Sequence, residues 1–213
     1  MNANINKLYI DIDNVPILAR TIKVFDDCSY IDEIILVINQ DDIIYCKQNI
    51  VDYYNFKKVS KIVTGGKTRQ ESVFKGLNEV SSNCRIVLIH DGARPFISEG
   101  AIKKSIDTAN DIGASCVAVP VKDTIKRSDS ENFVQETLNR RNLWSIQTPQ
   151  TFKFNLIMDA HKRALEDGFV GTDDAVLVER LGFPLKLVMG SYDNIKITTR
   201  EDLAIAETII MGK

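Results

Sequence analysis

The sequence predicts an open, doubly wound α/β fold with a mostly parallel sheet, and three observations carry that prediction. Short strand-like apolar runs alternate with amphipathic helical stretches along most of the chain. Several of these runs are apolar throughout, as in EIILVIN (33–39), RIVLIHD (85–91) and ASCVAVP (114–120), which is the pattern of strands covered by helices on both faces. No linker, internal repeat or low-complexity tract interrupts the chain, so residues 1–213 read as one domain.

Taken in order, LYIDI (8–12) alternates like a strand, and DNVP turns into a helix starting near Pro16 with Leu18, Ile22 and Phe25 on one face. EIILVIN is the next strand, a helical segment runs from about Asp41 to Tyr54, and KVSKIVT (58–64) is a strand again. Thr68 and Glu71 have capping-box spacing ahead of the helix ESVFKGLNEV. RIVLIHD, a helix from Ser98 to about Ile112, and the strand ASCVAVP follow. The rhythm breaks between Val121 and Thr148, a polar stretch with SDSEN as a turn between arms around DTIKR and FVQETL. It reads as a protruding β-hairpin arm, about 121–148, with Trp144 near its base. Helices near 153–167 and 173–181, strands PLKLVMG (184–190) and NIKITT (194–199), and a final helix capped by Thr199 and Asp202 complete the order.

Composition narrows the function. Hydrophobic residues make up 44% and charged residues 26%, with a net charge of −2, so the basic footprint of a nucleic-acid binder is absent. Cys28, Cys46, Cys84 and Cys116 include no CxxC pair, and His90 and His161 are the only imidazoles, which excludes zinc ribbons, thioredoxin-type motifs and multi-histidine cages. No apolar run approaches the ~20 residues of a membrane span, and MNANINK carries no apolar signal segment, so the cytoplasm is the expected address. GxSxG, HExxH and a Ser–His–Asp order are all missing, which leaves covalent hydrolytic catalysis without support.

HDGARPF (90–96) is the most informative segment. It puts Asp91 at the C-terminal tip of a strand, where doubly wound sheets bind ligands, with Gly92 for close backbone approach and Arg94 on the same loop. The bland alternative is a strand-ending turn with a surface Asp–Arg pair. An Asp oxygen is also a hard ligand suited to Mg²⁺. TGGKTRQES (64–72) is a Gly-rich turn feeding a helix, with Gly65 and Gly66 freeing the backbone and Lys67 and Arg69 supplying charge. It lacks Walker A spacing, and taken alone it is ordinary turn chemistry. KDTIKR, NRRNLW, QTPQTF and NIKITT add Thr, Arg and Lys at loops and strand ends, residues suited to phosphate although singly each reads as solvated charge. GTDDA (171–175) reads as a helix start with its acids at the favourable dipole end.

The ordered set GGKTRQESV, HDGARPF, VPVKDTIK, RRNLWSIQTPQTF, GTDDAVLVERLG and NIKITTREDLAIAE resembles the 2-C-methyl-D-erythritol 4-phosphate cytidylyltransferase family, from about Asn6 to the C-terminus. The resemblance implies a nucleotidyltransferase-type fold and a reaction in which CTP and methylerythritol 4-phosphate, with Mg²⁺, give the cytidine diphospho product and pyrophosphate. It implies that Asp91 binds metal and substrate, and that Gly65, Gly66, Ser72 and Gly92 contact the nucleotide. Lys7, Arg140 and Lys196 would act in catalysis, while Arg94, Thr124 and Thr148 would bind substrate. It further implies a homodimer in which the arm carries Thr124 and Arg140 to the neighbour's active site.

The family opens with an apolar strand and a Gly-rich loop bearing an Arg, ahead of a Pro-Lys-Gln segment. Here Asn6-Lys7-Leu8 stands where that segment is expected. Two expectations follow. Of two explanations, a natural start upstream of Met1 and a shortened chain that folds with a compromised nucleotide site, the first is expected; and the 213-residue chain as written, with Lys7 in a frayed terminus, is expected to be a poor catalyst with exposed strand edges and an intact polyol-phosphate half-site. The alternatives in function are a cytidylyltransferase for another polyol phosphate, such as ribitol 5-phosphate, and a non-catalytic dimeric sugar-phosphate-binding protein.

Overall fold

A computed structural model describes residues 6–212; Met1–Ile5 and Lys213, part of the expected 1–213 domain, lie outside the described residues. The chain opens with a 3₁₀ turn, Lys7–Tyr9, and a small ribbon of β1 (Asp11–Ile12) and β2 (Val15–Pro16). Next come α1 (Ile17–Asp27), β3 (Ile34–Ile38), α2 (Ile43–Cys46), β4 (Val59–Thr64), α3 (Arg69–Leu77), β5 (Ile86–Ile89), α4 (Glu99–Ile112) and β6 (Ala114–Pro120). The hairpin strands β7 (Lys126–Ser128) and β8 (Val134–Thr137) lead into β9 (Trp144–Lys153). The chain closes with α5 (Phe154–Glu166), α6 (Ala175–Arg180), β10 (Lys186–Met189) and α7 (Arg200–Met211).

The α/β class and its mostly parallel direction are as expected. Strands β10, β6, β9 and β5 lie side by side, with β10 parallel to β6 and β9 antiparallel to both its neighbours. Hence β5, β6 and β10 share one direction and β9 alone is reversed. The reason is local: the chain leaves β6 into the hairpin and comes straight back, so Trp144 pairs with Pro120 as in any hairpin return. Helices cover both faces. On one, Phe25 and Ile102 from α1 and α4 pack with Val117 and Val188. On the other, Leu77, Ile157, Leu177 and Val178 from α3, α5 and α6 pack with Phe152.

Three local readings are corrected. LYIDI is a 3₁₀ turn followed by two strand residues, because Tyr9 and Ile10 bond back to Asn6 and Lys7. The segment 40–54 is a 3₁₀ turn, a short α-helix and a π-helical stretch, Lys47–Asp52, rather than one regular helix. NIKITT is not a strand: Ile197 N donates to Ala93 O and Asn194 O accepts from Arg94, so its backbone is committed to the loop after β5.

The terminus around Lys7 is held rather than frayed. Asn6 accepts from Leu8 N and donates through its side chain to Asp42 at 2.8 Å. The sheet is also split: β3 pairs with β4 alone, and no described strand lies between β3 and β5.

Candidate active site

The chain builds the site from turns at the C-terminal ends of β3, β4 and β5. Gly65 N donates to Ile38 O at 2.8 Å, which pins the glycine turn against the end of β3. Gly66 has no room for a side chain, because a Cβ there would lie 2.3 Å from Glu71 Cβ. Its N–H donates to Ser72 Oγ, and that hydroxyl donates in turn to Thr68 O. Thr68 Oγ1 accepts from Glu71 N and so caps α3. The reciprocal bond of a capping box is absent, since Glu71 accepts from Lys67 N instead. A polar cleft of about 960 Å³, lined by Asn39, Asp42, Thr64, Gly65, Gly66 and Lys67 among others, opens beside this turn.

Asp91 lies just beyond β5, its side chain 14% exposed and surrounded by cations. Lys196 Nζ is 3.0 Å away, Arg94 Nε 3.4 Å and Arg69 Nε 3.8 Å. Burial alone raises the Asp91 pKa, but the Lys196 hydrogen bond and the charges of Lys196, Arg69 and Arg94 outweigh it and hold the carboxyl below its usual value. The loop is fixed from behind. Thr148 is buried, and its Oγ1 accepts from Asp91 N at 3.1 Å and lies 3.0 Å from His90 Nδ1. His90 Nε2 is 3.0 Å from Arg94 O, an acceptor only, so the ring carries its proton on Nε2 and Nδ1 accepts from Thr148. Gly92 lets Leu18 and Leu8 approach closely, since a Cβ there would meet them at 3.2 and 3.7 Å. That contact brings the Lys7 segment to the edge of the site.

The structure therefore gathers Asp91, Gly92, Arg94, Thr148 and Lys196 in one place, with Gly65, Gly66 and Ser72 alongside and Lys7 at the rim. It does not bring Thr124 or Arg140 there. Both are exposed at the base of the hairpin, where Arg140 donates to Lys122 O at 2.6 Å. Among the described residues, no hydrogen bond or ion pair joins them to the Asp91 cluster.

Two members of the cluster escaped the sequence reading. Arg69 was seen only as nearby charge, yet it spans from Asp91 to Asp174, whose Oδ2 lies 2.7 Å from its Nη1. Asp174, read as a helix-start acid, is 1% exposed and also faces His161 Nε2 at 3.3 Å. Burial lowers the Arg69 pKa, but Asp174 and Asp91 together raise it above its usual value. One clue existed in the sequence: GTDDA carries two adjacent acids where one is enough to start a helix.

A half-buried strand-tip carboxylate bound by Lys and Arg, beside a glycine cleft at the ends of parallel strands, defines an α/β protein of the nucleotidyltransferase type. The profile of the 2-C-methyl-D-erythritol 4-phosphate cytidylyltransferase family matches residues 1–212. A relative of that name from Caldanaerobacter subterraneus subsp. tengcongensis is 50% identical over 99% of this chain and 92% of its own length. Another from Clostridioides difficile is 50% identical over 99% of this chain and 88% of its own. Among solved structures, 4-diphosphocytidyl-2C-methyl-D-erythritol synthase from Anaerococcus prevotii superposes with a TM-score of 0.89 at 35% identity, covering 99% of this chain and 92% of that one. The chain belongs to the 2-C-methyl-D-erythritol 4-phosphate cytidylyltransferase family and is a nucleotidyltransferase.

Proposed function

We propose that this protein transfers the cytidylyl group of CTP to 2-C-methyl-D-erythritol 4-phosphate and releases pyrophosphate, as a cytoplasmic homodimer. The observation that carries the reading is Asp91 with Lys196, Arg94 and Arg69 around it, beside the Gly65–Gly66 cleft. A phosphate oxygen of the polyol phosphate attacks the α-phosphorus of CTP. A new O–P bond forms, the bond to the bridging oxygen breaks, and its electron pair leaves with pyrophosphate. The attacking oxygen is already ionised at neutral pH, so the protein's task is to position and to neutralise charge.

Gly65, Gly66 and Ser72 line the nucleotide's base side, and Gly92 lies on the nucleotide side of the Asp91 loop. Lys7 meets charge developing on the α-phosphate, while Lys196 and Arg94 orient the incoming phosphate. Thr148 takes part through the Asp91 loop that it holds. Among the described residues no cluster of three His, Cys, Asp or Glu could cage a metal. The carboxylate oxygens of Asp91 suit Mg²⁺ in its usual mode, with few protein ligands and the substrate's phosphates completing the shell. When bound, Mg²⁺ supplies charge neutralisation on those phosphates.

Among the described residues no hydrogen bond or ion pair joins Thr124 or Arg140 to their own Asp91 cluster, which supports a dimer in which the hairpin reaches the second protomer's site. Phe133 and Val134, 68% and 61% exposed on that hairpin, suit such a contact. The test is pyrophosphate release from CTP and Mg²⁺ with methylerythritol 4-phosphate or ribitol 5-phosphate. Turnover with the first is expected. Turnover only with the second would reassign the substrate, and binding of the sugar phosphate with no turnover would remove the catalytic reading.

A further inference from the structure

The two oxygens of Asp91 are engaged unequally. Oδ2 takes both of the closer cations, Lys196 Nζ at 3.0 Å and Arg94 Nε at 3.4 Å. The cation at Oδ1 is Arg69, whose Nε stops 3.8 Å away, beyond the ~2.7–3.2 Å of an N–H···O bond. A shift of about 1 Å would close that gap and occupy the oxygen. The restraint lies on the other side of the guanidinium, where Nη1 is 2.7 Å from Asp174 Oδ2.

Asp174 is built to hold something. It is 1% exposed, and neither carboxylate oxygen accepts a hydrogen bond, so its contact with Arg69 is an ion pair rather than an aligned bond. Helix capping does not account for it, because Asp173 Oδ1 accepts from Val176 N at 3.0 Å and does that work for α6. His161 backs the other oxygen at 3.3 Å, its ring stacked on Phe74. A buried carboxylate with one cation grips it firmly, since either partner alone would be an uncompensated charge. The backbone on both sides is fixed as well. Asp174 N and Ala175 N donate to Gln150 Oε1 of β9 at 3.1 and 3.0 Å. Gln70, the neighbour of Arg69, accepts from Gly171 N at 2.8 Å and donates to Phe169 O at 3.0 Å. The start of α3 is thereby tied to the turn before α6, and Arg69 is stretched between two anchored carboxylates.

We infer that Asp174 is a positioning residue that holds Arg69 back from Asp91 and so keeps Asp91 Oδ1 open for the Mg²⁺ that accompanies CTP. A guanidinium closed on a carboxylate takes the same lone pairs that a hard cation needs. Held at its present distance, Arg69 adds positive charge beside the phosphates without covering the oxygen. The metal part of the inference rests on the proposed function, whereas the hold on Arg69 does not.

The experiment compares the full chain with Asp174→Asn and with the double variant Asp174→Asn/Arg69→Gln. Two quantities are read: the Arg69–Asp91 distance in ligand-free crystal structures, and the ratio of CTP dissociation constants without and with Mg²⁺ by calorimetry. The parent should bind CTP at least about fivefold more tightly with Mg²⁺. Asp174→Asn should bring Arg69 Nε within hydrogen-bond distance of Oδ1 and lose most of that advantage. The double variant has no guanidinium to close and should recover it. A purely structural role would lower the thermal midpoint and leave the ratio unmoved. The inference is overturned if Arg69 stays at its parent distance in Asp174→Asn, if the ratio there is unchanged, or if the double variant remains as poor as the single one. Where Asp174→Asn does not fold, the double variant, in which both members are neutral, carries the test. A folded double variant with the parent's ratio supports the inference, and one that lacks the Mg²⁺ advantage or does not fold overturns it. If the parent itself gains nothing from Mg²⁺, the metal reading of the proposed function fails, and the Arg69 distance alone decides the hold.

Discussion

The loop after β5 and the hairpin after β6 both leave the same end of the sheet, but they are built in opposite ways. Asp91 is held through its carboxylate by Lys196 and Arg94 and through its backbone by Thr148, and the loop is tied to Asn194 and Ile197. Every residue of β7 and β8 is exposed, and Arg140 has one backbone contact. A preorganised loop keeps its charges in place without substrate. The arm is ordered by its own ladder and by the turn bonds of Asp129, but its strands bury nothing within the chain, so on the proposed reading it packs against a second molecule. The difference teaches where each kind of mutation should register: loop changes in stability and chemistry together, arm changes in chemistry alone.

The largest expected effect is at the loop. Asp91→Asn keeps the shape, removes the charge and leaves Lys196 and Arg94 without their carboxylate partner, while Arg69 keeps Asp174. Turnover should fall by at least about 10²–10³, the scale of losing one preorganised charge-stabilising group. Circular dichroism should remain that of a folded protein. Undiminished turnover would falsify the assignment.

At the arm, Arg140→Ala should cost about 10² in rate while the thermal midpoint stays within a degree or so of the parent, as for exposed substitutions. The comparison is sharpest with both variants at once. If the arm serves the neighbouring site, mixing Asp91→Asn with Arg140→Ala creates dimers holding one intact site, and activity returns. Mixtures as inactive as their parts would place Arg140 in its own protomer's site or outside catalysis.

How much of this was legible in the sequence follows from the same contrast. The strands of the core, the strand-tip aspartate and the hairpin announce themselves through local pattern, because continuous apolar runs and a polar excursion are properties of neighbours in the chain. ASCVAVP became β6 with the same limits. What stayed hidden depends on residues far apart. Asp174 looks like a helix-start acid until the fold turns it inward to Arg69 and His161. NIKITT has a strand's composition, but its backbone partners lie some hundred residues earlier in the loop it braces. The resemblance implies a substrate contact for Thr148, and the structure adds that its hydroxyl faces the Asp91 loop.

A milder test of the locked loop uses pH. Burial pulls the His90 pKa from 6.5 down to about 4, so the ring is neutral in the fold. Below pH 6.5 the unfolded chain takes up a proton that the folded chain refuses until about 4. The folded-state value is the lower one, so this contribution is complete above 6.5 and is lost as pH falls toward 4. Urea midpoints measured without added metal should decline between pH 7 and pH 4.5, and less steeply in His90→Gln. An unchanged slope in the variant would remove His90 from the loop's support.

The smallest expected effect concerns the other flank of Lys196. Asp202 Oδ2 accepts from Thr198 N at 2.8 Å, from Thr198 Oγ1 at 2.9 Å and from Thr199 N at 2.8 Å. Thr199 Oγ1 accepts from Asp202 N in return, a complete capping box at the start of α7. This cap fixes the chain just three residues after Lys196, while Ile197 N is held by Ala93 O on the other side. Thr199→Ala removes one half of the box and should cost about 1 kcal/mol, a fall of about 2–4 °C in thermal midpoint for a chain of this size. Lys196 keeps its Asp91 contact and its anchor at Ile197, so kcat should move by less than about twofold, with any change appearing in KM for the polyol phosphate. A large loss of kcat at unchanged stability would mean that the cap, rather than the Ala93 bond, sets the position of Lys196, and that the loop is less firmly preorganised than its hydrogen bonds indicate.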